Sequence, residues 1–469
     1  MDSRATVVIL AAGLGTRMKS RQAKVLHQAG GRKLIEHTVD TALQIASPER
    51  VFVVVGHQAD KVRDAVGGRG VKFIEQMEQK GTGHAVTSGR AVLSQLGGLL
   101  IIYYGDCPLI PADVLRALVE KQSQSNDAGT IVTAMLDDPT GYGRVIRDAK
   151  GSVQAVVEQR AGTPEQLAIR EGNVGIYCFQ AEAFWKHSGE LRPNNPAREY
   201  YLTDMVELLV RAGHAIGALR AQHPADLMGI NNRLELAAAD RTFRDRKVRE
   251  LMIDGVTIQK PETVSVDAQA RIGIDTVIEP FAQILGSTVI GENCHIGAGS
   301  IVRDSTLADD VEVHAFSSID ASRLESGARV GPYARLRMGA HVEPGAHVGN
   351  FVELKKTRLG AGAKAMHLAY LGDAAIGAGV NIGAGTITCN YDGIAKHPTH
   401  IGKGAFVGSN STLVAPVEIG EGAYLGAGSV ITEGVPADAL ALGRARQLNK
   451  DGWARKRREK TQKEPLNNR

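Results

Sequence analysis

The sequence predicts two domains in one chain, an α/β domain with a mostly parallel sheet followed by a parallel β-helix of hexapeptide repeats. Three observations carry this reading. Aliphatic residues recur at an unbroken interval of six at Ile401, Val407, Leu413, Ile419, Leu425 and Ile431; that period fits neither an α-helix nor a flat strand, but it fits short strands stacked coil on coil. Upstream, β-branched runs alternate with helical patterns, as in strands covered by helices. At 469 residues the chain also exceeds what one core normally supports.

The elements follow in order. Thr6 to Leu10, Val51 to Val55 and Leu99 to Ile102 are apolar runs without alternation, as expected of strands buried on both faces. Pro111 to Gln124 has helical spacing. Asn231 to Met252, charged and alanine-rich, reads as a helix of about 30 Å at roughly 1.5 Å per residue. The expected division is therefore 1–230, a linker helix over 231–253, a β-helix over 254–443 and a basic tail over 444–469. Within the β-helix the beat of six also runs through Val330, Leu336, Val342, Val348 and Leu354, and through Ile290, Ile296 and Val302 before slipping by one at Leu307. Three hexads make a coil, so roughly ten coils of about 18 residues would share one apolar column.

Composition excludes several classes of function. Hydrophobic residues make up 43% and charged residues 23%, and no apolar run is long enough to span a bilayer. No signal peptide is read at the N-terminus. Residues Arg444 to Arg469 carry ten Lys or Arg against three Asp or Glu, so the body is slightly acidic although the whole chain is +4. That body lacks the basic face of a nucleic-acid binder, and the tail is expected to be solvated and partly disordered. Cys107, Cys178, Cys294 and Cys389 lie far apart without paired spacing, which points to a reducing cytoplasm rather than to zinc or a disulfide framework.

Two places suggest chemistry. Leu10, Ala11, Ala12 and Gly13 follow the first strand directly and lead through Gly15 to Arg17. Small residues between a strand and a helix let backbone N–H groups approach phosphate oxygens, with positive potential added at the helix N-terminus. An ordinary tight turn has the same spacing, but Arg17 and Lys24 add fixed charge where a leaving pyrophosphate would gather negative charge. The hexads are interrupted at Lys355 and Lys356, over Lys364 to Tyr370, and over Thr388 to His400. Interruptions in a solenoid project as loops, often on its functional face. Taken alone, Asp106 at a strand end reads as readily as a turn cap as a metal ligand, and His367 reads more readily as a solvated side chain than as a base.

The stretch Leu10 to Met18 with Lys24 resembles the signature of sugar-1-phosphate nucleotidyltransferases. With the hexapeptide domain behind it, the chain over residues 5–450 resembles the bacterial family of bifunctional N-acetylglucosamine-1-phosphate uridyltransferases and glucosamine-1-phosphate acetyltransferases. Further matches are Gln76, Gly81 to Ala85, Tyr104 to Asp106, Gly141 to Arg144, Glu158, Asn173 and Asn231 to Arg233. The resemblance implies a Rossmann-like nucleotidyltransferase domain, a left-handed β-helix, Mg²⁺ as cofactor and a cytoplasmic homotrimer without nucleic-acid or membrane partners. Its substrates would be glucosamine 1-phosphate, N-acetylglucosamine 1-phosphate, acetyl-CoA and UTP.

By the same resemblance, Leu10, Ala11, Ala12, Gly13, Arg17 and Lys24 handle the UTP phosphates; Tyr104 and Gly105 belong to the same UTP and UDP-N-acetylglucosamine site, and Gln76, Gly81 and Thr82 read the uracil. Gly143, Glu158 and Asn173 hold the acetylated sugar, and Asp106 and Asn231 are the magnesium ligands, oxygen donors of the kind a hard cation takes. In the β-helix His367 is the general base, with Glu353 placed to orient it. Arg337, Lys355, Tyr370 and Asn381 hold the acceptor sugar phosphate. Ala384, Asn390, Tyr391, Ser409, Ala427 and Arg444 contact acetyl-CoA. Met366, Ala369 and Val174 depart from the usual pattern without removing a group that has a proposed chemical role.

Overall fold

The computed structural model describes residues 5–463 and divides into two compact units. One takes in the chain up to Lys247 together with Val266–Ala268; the other comprises Val248–Ser265 and the chain from Gln269 onward. Among the described residues no helix is long and apolar enough to cross a membrane.

The first unit is built on nine strands: β1 (Ala5–Leu10), β2 (Val51–Val55), β3 (Lys72–Glu75), β4 (Leu99–Tyr104), β5 (Gly129–Met135), β6 (Gly143–Arg147), β7 (Val153–Val157), β8 (Glu171–Gln180) and β9 (Ile216–Arg220). Their order is β9-β5-β8-β4-β1-β2-β3, with β6 on β8 and β7 on β6. β1, β2, β3 and β4 run parallel. β8, however, is antiparallel to β4, β5 and β6, so the sheet is mixed rather than mostly parallel. A parallel neighbour needs a crossover of a dozen or more residues, usually helical. Between β5 and β8 lie only the β6–β7 hairpin and the short helix Pro164–Leu167. Successive β1 residues face opposite cores, Val7 and Ile9 one way and Val8 and Leu10 the other.

After β1 the expected helix is a three-residue 3₁₀ turn, Thr16–Met18, and the first α-helix begins only at Leu34. The long helix is observed over Arg233–Ile253. Its first part packs within this unit: Phe243 stacks on His37 at 4.0 Å, and Asp240 accepts from the Gly30 N–H at 2.8 Å. A largely polar helix is thus held by specific contacts rather than by an apolar stripe.

The second unit is a three-faced parallel β-helix with 11, 10 and 9 short strands on its faces. Every aliphatic residue of the beat of six is buried, from Ile290 to Ile431, and burial of each contributes roughly 1.5–3 kcal/mol. Coils are not uniform. Ile272 pairs with Ile290 and then Ile290 with Leu307, so an 18-residue coil is followed by one of 17, which accounts for the slip at Leu307. Ile387 pairs with Thr412, 25 residues on, and the excess is the loop after Cys389. Beyond the last coil Trp453–Lys463 is an exposed α-helix rather than a partly disordered run; a chain of mostly Lys, Arg, Gln and Glu has good helix propensity even with nothing to pack on.

Candidate functional sites

In the first unit the carboxyl ends of four parallel strands meet. Leu10 and Tyr104 are in register on β1 and β4, the Gly105 N–H donates to the Leu10 carbonyl at 2.9 Å, and the Gln76 N–H donates to Val55 at 2.8 Å. The small-residue loop after Leu10, Asp106 and Gln76 therefore leave the sheet at the carboxyl ends of its parallel strands, where ligands of such sheets bind. In the loop, the N–H groups of Ala12, Gly13, Leu14 and Gly15 have no acceptor among the described residues. Four consecutive N–H groups without a protein acceptor are donors of the kind that bind anions where they converge. Gly15 has φ +62°, and a Cβ there would come within 2.7 Å of Lys24 Cβ.

Arg17, Lys24, Asp106 and Asn231 converge although they lie far apart in sequence. The Asn231 side-chain oxygen accepts from Arg17 Nη2 at 2.7 Å and from Lys24 Nζ at 3.1 Å, and Lys24 is ion-paired with the Asp106 carboxylate. Asn231 Nδ2 donates to the Gly229 carbonyl at 3.0 Å, which fixes the amide with its oxygen toward the two cations. The Ile230 N–H donates to the Asp106 carbonyl at 2.9 Å and ties the two segments together. Two hard oxygen atoms thus share one positive charge, the Lys24 ammonium. A divalent cation of the Mg²⁺ type fits this donor set, with phosphate and water oxygens completing its shell.

Gln76 is buried, and its Nε2 donates to the Gly81 carbonyl at 3.1 Å and lies 3.0 Å from the His84 ring. Its carbonyl oxygen is left as an acceptor suited to an imide N–H. Gly81 has φ +106°, and a Cβ would lie 2.5 Å from the Tyr200 carbonyl, so no other residue fits. Thr82 Oγ1 accepts from the Leu202 N–H at 3.0 Å, leaving its own proton to donate.

Gly143 pairs with Asn173 across β6 and β8, and a Cβ on it would stand 3.6 Å from Glu158 Oε1. Asn173 donates to the Tyr177 hydroxyl at 2.7 Å at the point where the β8 register shifts. Burial raises the Glu158 carboxyl, while the Thr203 hydroxyl, donating at 3.1 Å, opposes the rise. Next to it, burial and then the Glu207 and Glu158 charges push Asp204 up to about 6. Burial, foremost, pushes Tyr142, beside this pocket, to about 12. Val174 is buried and serves the core.

In the β-helix one corner collects residues from successive coils. The Leu368 N–H donates to Asn350 at 3.0 Å, Gly385 to Leu368 at 3.1 Å, Asn410 to Ala384 at 2.7 Å and Gly428 to Ser409 at 2.8 Å. His367, Ala384, Ser409 and Ala427 therefore stack along one edge. A Cβ on Gly428 would be 3.8 Å from Arg444 Cδ, so Arg444 ends the same column. His367 is exposed, and its Nδ1 lies 2.7 Å from Asn350 Oδ1. The orienting partner is Asn350, not Glu353: residue 350 is one 17-residue coil before His367 and pairs with it, whereas the Glu353 carboxylate is taken by Arg337 at 2.7 Å.

A second cluster stands at the far end of the adjoining face. Arg337, Lys355 and Gly372 are in register there. Buried Lys355 reaches Asp373 at 3.2 Å, and Asn390 Nδ2 donates to the same carboxylate. A Cβ on Gly372 would meet both the Tyr370 hydroxyl and Asn390 Nδ2, so those groups converge over it. On the inserted loop Lys396 is lowered by Lys355, first as hydrogen-bond partner and then through its charge. Asn381 lies on the other side of the His367 corner, paired with Lys364, and Tyr391 is exposed on the loop with its hydroxyl bonded to Gly393. Ala369 is buried beneath the corner, with Met366 half-buried beside it. Sequence reasoning missed Asn350, Asp373, Lys396 and Thr203, which are placed by coil register, by a loop or by a distant segment.

Comparison with known proteins finds a different family model in each part of the chain. The family described as MobA-like NTP transferase domain matches residues 7–173, and that described as bacterial transferase hexapeptide (six repeats) matches residues 269–304 and 398–433. Over 458 residues the chain is 64% identical to the Bifunctional protein GlmU of Solibacter usitatus, covering 98% of each chain. It is 47% identical to that of Koribacter versatilis, covering 97% of this chain and 98% of the relative, and 48% identical to that of Anaeromyxobacter dehalogenans, covering 97% and 93%. With an NTP-transferase unit ahead of a left-handed hexapeptide β-helix, and relatives matched from end to end, the chain belongs to the GlmU family of bifunctional transferases.

Proposed function

We propose that the chain makes UDP-N-acetylglucosamine in two steps, acetylating glucosamine 1-phosphate with acetyl-CoA and then joining the product to UMP from UTP. The observation that carries the reading is the convergence of Lys24, Arg17, Asp106 and Asn231 beside four free loop amides, with a separate histidine corner in the β-helix.

In the acetyl transfer the amine nitrogen attacks the thioester carbon, the carbon–sulfur bond breaks, and coenzyme A leaves as its thiol. With Nδ1–H donated to Asn350, His367 presents Nε2 as the lone pair that takes the amine proton. Arg337, Lys355 and Lys396 hold the phosphate, Tyr370 and Asn381 bond the sugar, and Arg444 ends the coenzyme column. In the uridyl transfer a sugar-phosphate oxygen attacks the α-phosphorus and pyrophosphate leaves. Loop amides, Arg17 and Lys24 position the triphosphate and take up its charge. Asp106 and Asn231 would hold Mg²⁺, which supplies charge neutralisation when bound. Gln76, Gly81 and Thr82 bond uracil, and Gly143, Glu158 and Asn173 bond the sugar.

The chain is expected to work in the cytoplasm, in keeping with four cysteines none of which is in a disulfide among the described residues. A homotrimer is expected as well, because the β-helix presents long lateral faces; a stable monomer with full acetyl transfer in light scattering would contradict it. Incubating the pure protein with glucosamine 1-phosphate, acetyl-CoA, UTP and Mg²⁺ should give UDP-N-acetylglucosamine. Absence of that product in the folded protein would overturn the reading.

A further inference from the structure

The loop after Cys389 is organised by one side chain. Asp392 Oδ1 accepts from the N–H groups of Ile394 and Ala395, both at 2.7 Å, and Asp392 Oδ2 meets His397 Nε2 at 2.7 Å. Around it Tyr391 and Lys396 form an antiparallel bridge, the Asp392 N–H donates to Ala395 at 3.2 Å, and the His397 N–H donates to Asn390 at 2.9 Å. The result is a short, closed hairpin rather than a slack insertion. These bonds, the backbone ones first, hold the Asp392 carboxyl well below the usual carboxylate range.

This order places Lys396: it is bridged to Tyr391 and precedes His397, whose N–H holds Asn390, and the Asn390 side chain donates to the Asp373 carboxylate that Lys355 also reaches. Lys355, first as hydrogen-bond partner and then as a like charge, lowers Lys396. Asp373 brings a single negative charge to the two lysines, and its carboxylate oxygen also accepts from Asn390. An anion carrying about two negative charges, such as a phosphate monoester, would relieve the repulsion and use both donors.

We propose that Asp392 is a positioning residue for acetyl transfer: it closes the hairpin so that Lys396 stands beside Lys355 and both ammonium groups grip the phosphate of the acceptor sugar. This rests on the reading that the β-helix acetylates glucosamine 1-phosphate. The role is indirect, since Asp392 acts through Lys396. Its signature is therefore a split between KM and kcat, together with non-additivity toward Lys396.

The test is a double-variant cycle in the full chain, with saturation curves for glucosamine 1-phosphate and acetyl-CoA. Asp392→Ala should raise KM for glucosamine 1-phosphate at least tenfold, leaving kcat and KM for acetyl-CoA within about twofold and uridyl transfer unchanged. Asp392→Asn keeps an oxygen for the two backbone donors and should recover to within about threefold of the parent. Adding Asp392→Ala to Lys396→Ala should cost no more than twofold beyond Lys396→Ala alone. The proposal falls if Asp392→Ala leaves that KM unchanged, if it lowers kcat and weakens acetyl-CoA equally, or if its full effect adds to that of Lys396→Ala. If Asp392→Ala does not fold, the cycle with His397→Ala decides by the same criteria, with a threefold or larger rise in KM expected. A parent chain that does not acetylate glucosamine 1-phosphate at all would instead remove the reading beneath.

Discussion

Asn350→Ala should slow acetyl transfer through the orientation of His367 alone. In the parent the two side chains meet at 2.7 Å, with the ring otherwise exposed at the corner. One neutral hydrogen bond contributes about 0.5–1.5 kcal/mol, and the rotational freedom regained by an exposed ring adds up to about 1 kcal/mol. Together roughly 0.5–2.5 kcal/mol of transition-state stabilisation is lost, about 2- to 70-fold in kcat. KM for both substrates should stay within about twofold, because Asn350 lies outside the phosphate cluster. Asn350→Asp supplies a second readout. A carboxylate beside the ring favours imidazolium, so the acid limb of the pH–rate profile should move to higher pH. Steady-state rates across pH measure both effects. An Asn350→Ala protein with parental kcat, or an Asn350→Asp profile unmoved or moved to lower pH, would refute the assignment of Asn350 as the orienting group.

The remaining predictions address separability, the coenzyme end and pH. Asp106→Ala should abolish uridyl transfer and spare acetyl transfer, with His367→Ala doing the reverse; a single substitution that silences both reactions in a folded protein contradicts two independent centres. Arg444→Ala should raise KM for acetyl-CoA at least about tenfold, the cost of one charge-assisted pairing of about 1.5–3 kcal/mol. Truncation after Gly452, which removes the exposed helix from Trp453, should leave both reactions within a few-fold, and the opposite pattern in saturation curves would assign the coenzyme to that helix. Asp204 has its carboxyl raised in the folded chain from 3.8 to about 6, so the stability associated with its neutral form is fully present below 3.8 and is lost as pH rises to about 6. Asp204→Asn should flatten that fall and stabilise the protein near neutral pH by about 1–2 kcal/mol after allowance for partial exposure, read as a higher Tm; an unchanged or lower Tm at pH 7.5 counts against it.

The sequence by itself determined the elements that rest on periodicity and local chemistry. Hexads announce coils because each aliphatic residue must fall on one axis, and every one of them is buried. The strand, small-residue loop and paired cations of Leu10 to Lys24 could be read for the same reason: phosphate chemistry needs those residue types at short range. Only the tertiary structure decided what depends on distant segments meeting. The antiparallel course of β8 follows from pairing across the sheet, and the shared hold of Arg17 and Lys24 on Asn231 spans more than two hundred positions. Coil length was equally beyond reading in advance. Because coils vary between 17 and 18 residues and one takes 25, the alignment of His367 with Asn350 rather than Glu353 is set by hydrogen-bond register between coils; a shift of one or two residues moves a side chain to another face or corner, and no single strand carries that information.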